Sequence, residues 1–186
     1  EEGSVIVNGR LFGNIIRKLT NDTIKISVDN NTMNLKCGNS EFNISVQKAE
    51  GYPSLPTIKK DKYFTLSSEE LKAAIRKTSF AVSLDETRMI FTGVNMDFRG
   101  DCINFVALDG FRMAIMKIKK DTSFNSQATI PARSFIELEK IIEAGDNDIV
   151  IYLEDNFIVF EFESTTFYST LIAGNFFDYE NLLKDS

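Results

Sequence analysis

A chain of 186 residues has room for one large or two small domains with a real core. Its 43% hydrophobic and 26% charged residues describe a globular protein, and no apolar run approaches a membrane span. With no histidine and two cysteines, Ser-His-Asp and Cys-His catalysis, His-ligated metals and a structural zinc site are excluded.

No Gly-rich phosphate cradle is present, so no cofactor, no metal and no catalytic residue is expected. Cys37 and Cys102 each fall inside a strand-like run and read as reduced, buried thiols, which fits a cytoplasmic protein. The net charge of −6 argues against an indiscriminate nucleic-acid binder but leaves room for a locally basic face.

In chain order, residues 4–8 read as a short strand, and Arg10 to Thr20 as an amphipathic helix. Leu11, Phe12, Ile15, Ile16 and Leu19 share one face; Arg10, Arg17 and Lys18 lie on the other. That polar stripe is either a solvated face or a surface that meets phosphates. Three alternating runs follow at 23–28, 32–37 and 41–46, separated by Asp29-Asn-Asn31 and Gly38-Asn-Ser40. They predict an antiparallel meander with one buried face. Gly51-Tyr-Pro-Ser-Leu-Pro56 breaks the pattern and places a domain boundary near residue 57.

Tyr63–Leu66 is strand-like and feeds a helix at 68–79. Ser67 followed by Glu70 is a capping box, in which each side chain satisfies a backbone N–H at the helix start. Leu71, Ala74, Ile75 and Thr78 form the inner face, with Lys72 and Arg76 turned outward. Strands are expected at 88–98, 102–108 and 111–118, the last two joined by Asp109-Gly110, a strong hairpin signal. Around that turn stand Leu108, Phe111, Arg112 and Met113. Either all the apolar residues face inward, or they line a pocket for a short partner peptide. Residues 122–127 read as a polar crossover.

From Ala128 the order repeats. A strand at 128–130 leads to a helix after Pro131, a good first-turn residue, with Phe135, Leu138 and Ile142 inward. Strands at 148–153, 157–162 and 166–171 precede Asn175-Phe-Phe-Asp-Tyr179. Phe12 corresponds to Phe135, and Ile24, Ile26 and Val28 correspond to Ile149, Ile151 and Leu153. The basic pair Arg10 and Arg17 recurs as Arg133 and Lys140, although the second helix also carries Glu137, Glu139 and Glu143. A unit of roughly 125 residues is thus present once in full, preceded by the second half of another. On this reading the chain starts in mid-domain.

Four runs now carry a resemblance. Asp85-Glu-Thr-Arg-Met-Ile-Phe-Thr-Gly-Val94, Ala107-Leu-Asp-Gly-Phe-Arg-Met-Ala114, Ile130-Pro-Ala-Arg-Ser-Phe135 and Asn175-Phe-Phe-Asp-Tyr179 occur in the order and rough spacing of the bacterial DNA polymerase III β subunit, the sliding-clamp family. Gly51-Tyr-Pro-Ser-Leu55 resembles the end of that family's first domain.

The resemblance implies an α+β DNA-clamp fold of duplicated strand-helix-meander units, helices on one face and sheets on the other. Residues 1–56 would be the C-terminal half of a first domain, 57–183 a complete second domain, and 184–186 the start of a linker to a third. It further implies a non-catalytic processivity factor, cytoplasmic and nucleoid-associated, that closes as a homodimeric ring around double-stranded DNA without reading sequence. The polymerase III α subunit, clamp loader and repair proteins would bind through linear motifs.

Residue by residue, Phe91, Leu108, Gly110, Phe111, Arg112 and Met113 match the family's peptide pocket. Leu108 and Phe111 replace the usual threonine and histidine, and Met113 and Phe91 replace common leucines. Arg10, Arg17, Lys72, Arg76, Arg88, Arg133 and Lys140 fall on the DNA-facing side. Two alternatives stand beside this reading: a peptide- or protein-binding repeat module that does not bind DNA, and a hydrolase using Asp97, Asp101 or Asp109.

Overall fold

In the computed structural model, which describes residues 3–19, 23–143, 145 and 147–184, the chain forms two units, Glu1–Pro56 and Thr57–Ser186. Thr20, Asp146 and the last two residues of the expected 184–186 linker lie outside the described residues.

In the first unit, β1 (Val5–Ile6) precedes α1 (Gly9–Ile16), whose start is fixed by Asn8: its side chain accepts the Leu11 N–H at 3.0 Å. The helix ends three residues before Leu19, the last of its apolar positions, and Arg17 to Leu19 continue it as a turn. Strands β2 (Ile24–Asp29), β3 (Thr32–Cys37) and β4 (Ser40–Ser45) form an antiparallel meander with β3 central, and β5 (Gln47–Lys48) pairs with β1. Met33, Leu35, Ile44 and Val46 form the core, with Phe12 and Ile15 of α1 packed on it. The sequence predicts one buried face across all three strands. On β2 this fails, because Ile26 is 53% and Val28 44% exposed, and on β4 Phe42, expected on the same face, is exposed as well. Ile26 and Val28 share their face with Leu35 and Met33 through the strand register, but nothing covers the β2 end of it among the described residues.

The second unit contains two halves of the same design. Strand β6 (Tyr63–Ser67) leads into α2 (Ser68–Thr78), followed by β7 (Gly93–Arg99), β8 (Cys102–Leu108) and β9 (Met113–Lys119). Then β10 (Asn125–Pro131) leads into α3 (Ala132–Ile141), followed by β11 (Asp148–Leu153), β12 (Phe157–Phe162) and β13 (Thr165–Thr170). Both helix starts obey their sequence signals. Ser67 and Glu70 close the capping box at 3.2 Å and 3.0 Å, and α3 begins directly after Pro131.

The sheets reveal a relation that local periodicity does not contain. The halves exchange first strands: β6 joins β11 in the order β13-β12-β11-β6, and β10 joins β7 in the order β10-β7-β8-β9. At the β10–β7 seam Gly93 is required by space, since a Cβ there would lie 2.6 Å from the Ile130 carbonyl oxygen. One core runs through both halves, with Leu71 and Ile75 of α2, Phe135 and Leu138 of α3, and Phe98, Phe105, Ile151 and Phe160 of the sheets. The two helices lie side by side.

Two local expectations need correction. Residues 88–92, read from sequence as strand, belong to a Glu86–Thr92 segment of 3-10 turns kinked at Arg88, and β7 starts only at Gly93. The cause is Asp85, whose carboxylate accepts both the N–H and the hydroxyl of Thr87 and turns the chain before it can extend. The polar 122–127 stretch is a crossover only in its first half, since β10 begins at Asn125. A short helix, α4 (Tyr179–Lys184), ends the described chain.

Candidate functional site

The β8–β9 hairpin is built around one carboxylate. Asp109 Oδ1 accepts the N–H groups of Phe111 and Arg112 at 3.0 and 3.1 Å, and Oδ2 accepts Arg112 Nε at 2.9 Å. The Phe111 N–H above all, with the Arg112 contacts, holds this carboxyl below the usual range. Gly110 sits at φ +95°, a conformation that other residues adopt only under strain. The turn is therefore rigid, and it presents its residues in opposite directions: Phe111 is fully exposed, whereas Leu108 is buried and faces Met113 across the ladder. The inward-facing hairpin weighed from sequence does not describe Phe111.

Beneath the turn, Val106, Leu108, Phe176 and Tyr179 form a small apolar cluster of their own, with Ile90, Phe91 and Met113 partly buried against it. Phe91 meets Phe176 edge to face at 6.1 Å, and the Arg88 guanidinium stands 5.5 Å from the Phe91 ring. On the surface, Leu108, Gly110, Phe111, Arg112 and Met113 line a pocket of about 170 Å³ together with Leu182 of α4. Five of the six residues named from sequence thus share one opening, and the sixth, Phe91, lies in the cluster under it.

Sequence reasoning missed the part that the end of the chain plays here. Tyr179 and Leu182 stand three residues apart on α4, and Phe176 lies in the irregular chain just ahead of it. What fixes that segment is a polar lock. Tyr179 OH donates to the buried Asp97 carboxylate at 2.6 Å and accepts from Asn104 Nδ2 at 3.0 Å. Arg99 bridges Asp97 at 2.6 Å to Glu180 at 3.2 Å. Burial first, and the Asp97 carboxylate second, push the Tyr179 phenol up to about 12. Asp97 and Asp109 are thereby committed to holding the fold, as a lock and a turn. Among the described residues no cluster of three or more Asp, Glu or Cys is placed to hold a metal.

The basic residues divide by partner. Arg76 of α2 meets Glu139 of α3 at 2.6 Å, Lys140 meets Glu137 at 2.8 Å, and Lys72 Nζ donates to the Ile142 carbonyl at 2.9 Å. Arg88 lies 4.0 Å from Asp85. Arg17 donates to Asn14 at 2.7 Å, and Arg10 and Arg133 are exposed on their helices. The α2–α3 face is therefore mixed in sign, and its solvent-facing ion pairs carry small energetic weight, about 0–1 kcal/mol each.

An α+β unit built from two strand-helix-meander halves that trade first strands, with an apolar pocket at one hairpin, defines a clamp-type domain. The DNA polymerase III beta subunit family matches twice: its N-terminal domain over residues 1–56 and its central domain over residues 65–178. The chain belongs to that family. A beta sliding clamp from Staphylococcus aureus is 36% identical over 188 aligned positions, covering 100% of this chain and 50% of the relative. The sliding clamp of Bacillus subtilis superposes with a TM-score of 0.90 at 33% identity, over 97% of this chain and 48% of its own. A sliding clamp from Pseudomonas aeruginosa, solved bound to griselimycin, gives 0.88 at 28% identity, over 97% and 50%. The chain spans about half the length of the curated relatives it matches.

Proposed function

We propose that this chain is part of a DNA sliding clamp, a non-catalytic processivity factor of DNA polymerase III. It tethers the polymerase to its template by encircling duplex DNA as a homodimeric ring in the cytoplasm. Family membership supports the clamp role, and one observation carries the partner site: the Asp109-organised turn that sets Leu108, Met113 and Arg112 around an apolar opening. Short linear motifs of the polymerase α subunit, the clamp loader and repair proteins dock there. Apolar side chains enter between Leu108 and Met113, over a cluster that includes Phe91, while Arg112 supplies hydrogen-bond donors at the rim.

DNA contact falls to Arg10, Arg17, Lys72, Arg76, Arg88, Arg133 and Lys140 as phosphate attractions without base readout, which is what sliding requires. One observation favours the reading of a peptide-binding module that does not touch DNA: Arg76 and Lys140 already pair with carboxylates.

The salt dependence of DNA binding separates the two. In a chimaera where residues 1–186 replace the matching half of the Staphylococcus aureus clamp, neutralising Arg10, Arg17, Arg133 and Lys140 makes the plot of log affinity against log salt shallower. Each phosphate that is no longer neutralised removes about 0.9 from the slope. An unchanged slope removes these residues from the interface.

A further inference from the structure

Arg112 belongs to two openings. Besides the hairpin pocket, it borders a groove of about 540 Å³ between a 3-10 turn at Ser79–Ala81, the Glu86–Thr92 segment and the start of α3. The groove's apolar side chains are unusually bare: Phe80 is 60%, Leu84 94%, Met89 55% and Ile136 41% exposed. Single exposed apolar residues are ordinary, but four in one concavity mark a surface that binds something.

Nor is the wall loose. Ser83 N–H donates to the Phe91 carbonyl at 2.8 Å, Asp85 N–H to Ser83 Oγ at 3.0 Å, and Thr92 Oγ1 to the Met89 carbonyl at 2.8 Å. Leu84 and Met89 are therefore held outward by their own backbone, which lowers the ordering cost of binding.

The rim carries Arg112 and Arg133 against one carboxylate, Glu86. Asp109 takes the Nε edge of Arg112, and the guanidinium stands 6.0 Å from the Phe80 ring. A guanidinium has five N–H donors, so this contact leaves the two terminal amino groups for another acid. Among the apolar side chains of the lining Phe80 is the one aromatic, and the Arg112 guanidinium stands over its ring. Stacked bases need open aromatic faces, whereas leucine-like side chains need this kind of wall.

We propose that the partner segment does not stop at the hairpin pocket but continues past Arg112 into this groove. The occupant is an acidic-apolar peptide with two apolar anchors, one for each opening, and an aspartate or glutamate between them that pairs with Arg112. This rests on the hairpin pocket taking a partner peptide, and it extends that site to Phe80, Leu84, Met89 and Ile136.

Three fluorescein-labelled peptides test it by anisotropy on the 186-residue chain. The short one carries only Leu-Phe, the long one adds Asp and then Leu-Leu, and the third replaces that Asp with Asn. The long peptide binds about tenfold more tightly than the short one, and the Asn version loses several-fold of that gain. Leu84→Ser and Ile136→Glu each remove the part of the gain that Leu-Leu supplies, several-fold, and leave the short peptide unchanged. Leu84 is so exposed that its substitution leaves the fold intact. Equal affinity of long and short peptides, or a gain that survives both substitutions, overturns the proposal. So does an oligothymidylate that binds in a Leu84-dependent way where the peptides do not. Failure of the short peptide to bind at all is a different result, since it removes the hairpin pocket and the groove proposal with it.

Discussion

Residues 24–46 and 149–171 follow one sequence rule and reach different ends. Ile26 corresponds to Ile151 and Val28 to Leu153, yet Ile26 is 53% exposed where Ile151 is fully buried. The strands themselves are alike: Ile26 faces Leu35 across its ladder as Ile151 faces Phe160. The difference lies at the outer edge. β11 is paired by β6, which sets Phe64 opposite Ile151 and Leu66 opposite Ile149. Among the described residues β2 is the edge of its three-stranded sheet, and β1, the counterpart of β10, pairs with just two residues of β5. Alternation chooses which face of a meander is apolar; the exchanged first strand and the second meander are what close it from water.

The sharpest way to break this comparison is to truncate the paired positions. Ile151→Ala opens a cavity in a closed core and costs about 2–5 kcal/mol, whereas Ile26→Ala at the open edge costs less than about 1 kcal/mol. Urea unfolding of the two variants measures both, and similar losses would mean that the two meanders are equally closed.

A smaller effect is expected at the polar lock of the second unit. Tyr179→Phe removes a donor from the buried Asp97 and costs about 1–3 kcal/mol. The phenol's folded value, about 12, lies above its unfolded value of about 10. A raised value stabilises the fold fully below the unfolded value and is lost as pH rises from about 10 to 12. The stability gap between the native chain and Tyr179→Phe is therefore constant up to about pH 10 and shrinks above it. A gap independent of pH across that range contradicts the lock.

Smaller still is the contrast between helix starts. Ser67→Ala breaks a reciprocal cap and costs about 1 kcal/mol, while Asn8→Ala removes a single bond and costs the same or less. Thermal unfolding of the two variants orders them, and a larger loss at Asn8 would reverse the comparison.

Much of this was legible in the sequence because its causes are local. Ser67 and Glu70 announced α2, Pro131 announced α3, and the repeated apolar spacing announced two copies of one half-domain. The strand exchange was not legible, because β6 and β11 lie some eighty residues apart and neither run records its partner. Asp85 misled for the opposite reason: a single side-chain cap overrode the strand-like composition of 88–92. At the site, Leu108, Gly110, Phe111, Arg112 and Met113 were found from the turn and its flanks. Leu182 escaped because a six-residue helix gives too little periodicity, and the Arg76–Glu139 pair escaped because it joins two helices.

The central claim is that the hairpin opening receives a partner's linear motif, and one measurement meets it directly: the affinity of a clamp-binding peptide from the polymerase III α subunit for the native chain and for Arg112→Ala/Met113→Ala. Arg112 is exposed at the turn and Met113, at the start of β9, is only partly buried, so the double variant keeps its fold, as circular dichroism will register. The account predicts that the native chain binds the peptide and that the variant loses tenfold or more, about 1.4 kcal/mol. An affinity unchanged within about twofold, roughly 0.4 kcal/mol, would contradict it.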